Sequence, residues 1–244
     1  MCRHIIIVWF SFLSFGILNA QLSQKERVYQ AFISDQMDDW EAVIEELNRK
    51  KSTLTYPQMV ELVNYYYGYT ASLMEEGPKK KARVYNEEAE EIVDDLMAKY
   101  PEESDWYAFK AAFIAFKIGL SPLKAPFLGA KSMDNINLAI EYGPENPQGW
   151  IEKGNALFYM PKAFGGSKEE ALLAFNKAIQ FMEKEQESLH HNWMYLNVLM
   201  MLGQSYEKTG NPEMAKITYD KLLKIEANFV YMRDELYPAF MHSY

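Results

Sequence analysis

The stretch LMMLGQSYEKTGNPEMAKITYDKLLKIEA, residues 199–227, carries Leu199, Leu202, Gly203, Tyr206, Ala215, Tyr219 and Leu222 at spacings of one helical face. Apolar residues recur three and four apart on either side of Gly210-Asn211-Pro212. That pattern predicts two helices joined by a tight turn. Gly203 and Ala215 are small where the two helices would cross, and Tyr206 and Tyr219 fill the space around them. A single pair of this kind cannot bury its apolar face alone, so other pairs must stack on it.

The rest of the chain supplies them. Pro, Gly and Asn punctuate it at Tyr56-Pro57, Gly77-Pro78, Tyr100-Pro101, Pro122 to Pro126, Gly143-Pro144, Asn146-Pro147 and Gly165-Gly166. Between these marks the apolar spacing is helical, and no segment alternates as a strand would. Read backwards from the fifth pair at about 190–225, a fourth spans about 147–186, with Trp150 and Gly154 on its first helix and Ala171, Phe175 and Ala178 on its second. A third spans about 104–142, with Ala111, Ala112 and Ala115 as its close-packing face and Ser132, Ile136 and Ala139 opposite; the register between Ala111 and Ala112 stays open. A second spans about 56–99 around Gly68, Ala71, Ala89 and Val93. The first, about 23–50, sets Val28, Tyr29, Phe32 and Ile33 against Trp40, Val43, Ile44 and Leu47. Phe229, Met232, Leu236 and Phe240 predict a final helix over about 229–241 that caps the last groove.

These residues resemble the tetratricopeptide repeat (TPR) family. The segments Asn146-Pro147, Pro161 to Gly166, Ala171 and Ala178 also resemble secreted bacterial TPR proteins of Bacteroidetes type. The resemblance implies an all-α, right-handed solenoid of about five helix pairs plus a C-terminal capping helix, spanning 21–244 as one repeat domain. It implies a scaffold that binds a protein or peptide without catalysis. The first helix of each TPR pair lines the concave surface, which by the repeat register assigns Tyr65, Tyr69, Ile151, Asn155, Phe158, Asn197, Met200 and Gln204 to it. Rings there offer contact area and amides offer hydrogen bonds to a peptide, although packing between repeats would also account for most of the rings. Ile151, Met200 and Met201 stand where a carboxylate clamp would need charge or amide, so a clamp for C-terminal carboxylates is not expected. In broad plan the chain is also similar to the periplasmic T component of TRAP transporters. A small hydrophobic ligand or glycan on the same groove is a further alternative.

Composition narrows the function. The net charge is −9 among 244 residues, which disfavours a phosphate backbone as partner, so nucleic acid is not expected. The basic run Lys79, Lys80, Lys81 and Arg83 is followed at once by Glu87, Glu88, Glu90 and Glu91 and reads as a solvated loop and helix face. Residues 1–20 read as a secretory signal peptide: Arg3, an apolar run from Ile5 to Leu18, and Ala20 before the cut. The expectation is export to the periplasm or beyond in a Gram-negative bacterium, with no stable membrane span after cleavage. Cys2, the one cysteine, leaves with that segment.

Nothing in the sequence carries catalysis. No HExxH, nucleotide loop or Ser-His-Asp spacing is present, and neither cofactor nor metal is implied. His190-His191 read as a cap or surface pair rather than a chelate, with Asn192 marking a helix start. The loop Phe164-Gly165-Gly166-Ser167 is a second candidate for partner contact. Its plainer reading is a tight turn that folds Phe164 back on the core, with Ser167 and Glu170 as a capping box.

Overall fold

Helix starts fall where capping residues allow them. Asn146, Asn192 and Asn211 accept from the backbone N–H of Gln148 (3.0 Å), Tyr195 (3.1 Å) and Met214 (3.3 Å), and Ser167 Oγ accepts from that of Glu170 (3.2 Å). Each satisfies a donor that the first helical turn leaves without a partner. The computed structural model describes residues 22–244; the expected signal segment, residues 1–20, and Gln21 lie outside them.

Eleven α-helices follow among the described residues, with no strand: α1 (Gln24–Ser34), α2 (Met37–Asn48), α3 (Tyr56–Glu75), α4 (Lys79–Lys99), α5 (Ser104–Leu120), α6 (Ala125–Tyr142), α7 (Pro147–Tyr159), α8 (Lys168–Met182), α9 (Trp193–Lys208), α10 (Pro212–Ile225) and α11 (Tyr237–Ser243). They form five antiparallel pairs, α1–α2 to α9–α10, stacked as a right-handed TPR-like solenoid and closed by α11. The first helices of successive pairs also touch, α3 on α5 and α5 on α7.

Small residues set the spacing within pairs. A methyl group on Gly154 would strike the Phe175 ring of α8, and one on Gly203 would strike the Tyr219 ring of α10. In the third pair both Ala111 and Ala112 are buried, and Ser132 Oγ donates to the Ala111 carbonyl at 3.0 Å. Ala115, expected on that face, is exposed. The capping segment carries a π turn at Met232–Leu236, where the Tyr237 N–H reaches back to the Met232 carbonyl. Pro238 has no N–H to continue the α ladder there. Met232, Phe229 and Phe240 are buried beneath it.

The first pair does more than cap one end. Trp40 of α2 meets Trp193 of α9 edge-on at 4.9 Å, and Phe32 of α1 packs on Trp193 (5.6 Å) and Phe229 (4.8 Å). Tyr29 donates to Glu226 Oε2 at 2.9 Å, and Lys25 reaches the Ser188 carbonyl at 3.4 Å. The solenoid therefore wraps until its first pair lies on its last. That explains α9, which buries Trp193, Met194, Tyr195, Leu196, Val198, Leu199, Met201 and Leu202. A helix apolar on nearly every side must be surrounded on nearly every side.

Candidate functional site: the concave face

Helices α3, α5, α7 and α9 face inward, and the aromatic seam covers part of that face. At its centre is Gly68, where a methyl group would come within 2.5 Å of the Trp40 ring and 2.6 Å of that of Trp193. Glycine is needed there to let two indoles meet over the α3 backbone. The Trp40 indole N–H donates to the Tyr65 carbonyl at 3.0 Å, fixing its ring.

The four-tyrosine run on α3 divides between two directions. Tyr66 and Tyr69 turn towards α2 and α4. Tyr66 Oη lies 3.0 Å from Glu88 Oε2, and Tyr69 donates to Glu41 at 2.9 Å. Glu41 also accepts from Lys81 (2.6 Å) and Tyr85 (2.6 Å). Burial pushes its carboxyl up, and these three donors outweigh that and hold it below the usual carboxylate range. Tyr67, one residue or about 100° on from Tyr66, faces the interior instead. It lies 6.3 Å from Trp193 and stacks on Phe116 at 5.3 Å. The repeat register assigned neither Tyr67 nor Trp193 to the concave face. Their signal was a bulky ring on the inward side of a first helix.

Tyr67 belongs to a buried polar cluster. Asn155 Nδ2 donates to Tyr67 Oη at 3.0 Å, and Gln148 Nε2 donates to Glu152 Oε1 at 2.8 Å. Glu152 is 4% exposed, and burial pushes its carboxyl up to about 8, against the hydrogen bonds from Asn155, Tyr67 and Gln148. Burial thus favours the protonated form of Glu152.

Of the residues assigned to the concave surface, Tyr65, Tyr69, Ile151 and Phe158 are buried. Asn155, Asn197, Met200 and Gln204 are half-buried and reach solvent. Beside them, Tyr159 is 67% exposed, with its hydroxyl 3.7 Å from the Met201 sulfur. The Tyr159 hydroxyl, turned in against Met201, and that of Tyr231 are pushed up by burial and then by the charge of Glu75. The face is thus closed at the Trp40–Trp193 seam, while Asn155, Asn197, Met200, Gln204 and Tyr159 keep access to solvent.

The loop candidate stands elsewhere. Phe164 is 76% exposed and does not fold back on the core. Gly165 adopts φ 98°, the left-handed region, and turns the chain outward. Gly166 passes so close to the Met160 carbonyl that no side chain fits. Ser167 caps α8, but Glu169 rather than Glu170 takes its hydroxyl, at 3.1 Å.

His190 and His191 lie in the loop before α9, with ring centroids 3.7 Å apart. His191 has φ 50° and lies 3.5 Å from Glu26 and 5.1 Å from the Tyr29 ring. A shallow cavity of about 210 Å³ is lined by Ser23, Lys25, Glu26, Glu187 and the two histidines. Among the described residues no group of three or more His, Cys, Asp or Glu is placed to hold a metal ion. No helix among them is long and apolar enough to cross a membrane.

A tetratricopeptide-repeat family profile matches residues 196–229, the fifth pair and the start of the capping segment. Among solved structures, the HusA haemophore from Porphyromonas gingivalis is similar at TM-score 0.60 and 17% identity, covering 76% of this chain and 92% of that one. A thermophilic TPR protein of Thermus thermophilus is similar at TM-score 0.58 and 13% identity, covering 90% of this chain and all (100%) of that one. At these identities the likeness is one of fold. No curated protein matches in sequence. TPR solenoids generally serve protein–protein interaction and are typically non-catalytic scaffolds.

Proposed function

For a chain that carries a tetratricopeptide repeat in a TPR solenoid, we propose the role of a non-catalytic adaptor, exported to the cell envelope, that holds a protein or peptide on its concave face. One observation carries this reading. The chain's own indoles cover part of that face, and Asn155, Asn197, Met200, Gln204 and Tyr159, which keep access to solvent, are read as one strip of amides, a thioether and a phenol on the rest of it. A preformed strip needs little ordering when it binds. Its mix of rings and amides suits a peptide backbone flanked by apolar side chains. The other members of the set, Tyr65, Tyr69, Ile151 and Phe158, are buried.

The test is site-directed photocrosslinking in native envelope extract. A photoreactive side chain at Met200 or Gln204 should capture one discrete protein, and the same group at Leu173, exposed on α8, should not. Capture that is equal at all three positions, or absent from the strip, sinks the reading. The fold likeness to a haemophore makes a planar apolar ligand the rival occupant. Haem titrated into the purified chain would then give a saturable absorbance change lost in Tyr159→Ala/Met200→Ala, and crosslinking from the strip would be empty.

A further inference from the structure

Among the described residues, the most exposed large apolar side chains lie away from the concave face, at two neighbouring turns. The α5–α6 turn Pro122-Leu123-Lys124 leads into the α6 start Ala125-Pro126-Phe127, and the α7–α8 turn runs Pro161-Lys162-Ala163-Phe164. Both turns pass through a short 3₁₀ segment, and each has a phenylalanine in the open, at the start of the next helix or within the turn. Leu123 is 89% exposed, Phe127 78% and Phe164 76%. A methyl group on Gly165, in the second turn, or on Gly129, in the first turns of α6, would meet nothing within 4 Å.

The pairs are antiparallel and their first helices run side by side, so turns within pairs share one edge of the solenoid and turns between pairs share the other. Around the third and fourth pairs the two edges differ in charge, whereas the α3–α4 turn on the first edge mixes Glu75 and Glu76 with Lys79, Lys80 and Lys81. No Asp or Glu occurs from Trp106 to Met133, nor from Lys153 to Lys168, in a chain with 34 acidic residues. Lys124, Lys131 and Lys162 are exposed there. Lys124, Phe127 and Lys131 fall three and four apart, on one face of the α6 start. Glu169, the nearest acid after the second turn, is turned to the Ser167 hydroxyl at 3.1 Å. The turns between the same pairs are acidic, with Glu102 and Glu103 before α5, Glu145 before α7 and Glu183, Glu185 and Glu187 before α9.

Protruding rings beside lysines of one sign suit a soft anionic interface better than a rigid pocket, since tips enter a lipid surface and cannot enclose a ligand. We propose that the edge formed by the α5–α6 and α7–α8 turns docks on an anionic membrane surface. Leu123, Phe127 and Phe164 enter the headgroup layer, and Lys124, Lys131 and Lys162 face lipid phosphate. The acidic edge then points away from the bilayer, which offsets the repulsion expected of a chain of net charge −9. The concave strip remains open to a partner, and nothing in this docking depends on that strip being occupied.

Vesicle flotation tests it, with phosphatidylcholine alone and with phosphatidylglycerol added. The bound fraction should rise about tenfold or more with the anionic lipid and fall with added salt. Lys124→Glu/Lys131→Glu/Lys162→Glu should return binding to the neutral-vesicle level. Leu123→Ser/Phe127→Ser/Phe164→Ser should abolish whatever binding survives high salt. Every one of these side chains is exposed, so circular dichroism and the thermal midpoint should match the parent and confirm that the variants fold. Equal binding to both vesicles, or variants that float like the parent, overturns the proposal. So does failure on vesicles with retention on immobilised polyglutamate, which would make the edge a site for acidic protein.

Discussion

Gly154 and Gly203 do one job in the fourth and fifth pairs, and Gly68 does another in the second. All three are small positions on the first helix of their pair, and at all three an added methyl group would strike a ring. For Gly154 and Gly203 that ring comes from the next helix, Phe175 or Tyr219. For Gly68 the rings are Trp40 and Trp193, from opposite ends of the chain. One local device, a gap in a helix that admits an aromatic side chain, thus serves both to pair neighbouring helices and to close the solenoid on itself. The first use builds a stack that could grow indefinitely. The second ends that growth and fixes how much of the concave face stays open.

The comparison breaks most directly at Trp193. Truncating a buried tryptophan costs about 3–5 kcal/mol, and Trp193→Ala should fall in that range by chemical denaturation. Its distribution matters more than its size. If the seam is a separate layer over a self-sufficient stack, hydrogen exchange should quicken in α1–α3 and leave α10 protected. Equal loss across both regions would make seam and stack one cooperative unit.

Glu152 comes next. Its folded pKa of about 8 lies above the ordinary 4.5, so the folded chain holds more protons than the unfolded chain between those values. Stability from this group is therefore greatest below pH 4.5 and is lost as pH rises towards 8. Glu152→Gln keeps the shape and removes the ionisation. It should stabilise the protein by about 3 kcal/mol at about pH 7. It should also flatten the dependence of the unfolding midpoint on pH between about 5 and about 8. A variant that kept the parent's slope would show that Glu152 is not the group responsible.

Gly68→Ala and Gly203→Ala set the two uses of glycine side by side. Each overpacks a close contact and should cost about 1–3 kcal/mol. They should differ in what reports the change. Gly68→Ala displaces two indoles and should shift tryptophan emission in the native state. Gly203→Ala displaces a tyrosine and should leave that emission alone. A shift in both would mean that strain passes from the fifth pair into the seam.

The stack was legible from residue spacing because its contacts are local. Gly203 and Tyr219 sit on adjacent helices joined by Gly210-Asn211-Pro212, so period, punctuation and small residues determine one another. The seam was not legible in the same way. A 3.6-residue period says which face of a helix is buried but not what covers it. The spacing set Trp40 against the first helix of its own pair and supplied no partner for it from the far end of the chain. The same ambiguity affects the α3 tyrosines. Tyr65 and Tyr69 follow the repeat register, whereas the residue that reaches the interior cluster is Tyr67, whose partners Asn155 and Glu152 lie on a helix two pairs away. The exposure of Phe164 was missed for another reason. A Gly-Gly turn permits either outcome, and residue spacing does not choose between a ring turned in and the exposed ring observed.

The smallest expected effect lies at the rim of the seam. His191 is packed among Tyr29, Glu26, His190, Lys25 and Glu226, and burial, then the neighbouring His190, lower its pKa below the ordinary 6.5, against the attraction of Glu26 and Glu226. The folded chain thus binds fewer protons than the unfolded one as pH drops through 6.5. The contribution of His191 is intact above that value and is lost as pH falls towards its folded pKa. Glu26 acts in the same sense at lower pH, because its hydrogen bonds with Ser23 depress its carboxyl. Acid should therefore loosen the seam while the stability contributed by the already protonated Glu152 grows, so the two regions should respond to pH in opposite directions. Native-state tryptophan emission should shift on acidification below 6.5. His191→Asn should flatten that shift, since asparagine tolerates the left-handed backbone at this position. If Gly68→Ala abolished the shift and His191→Asn did not, the proton would be acting at the indoles through some group other than this histidine.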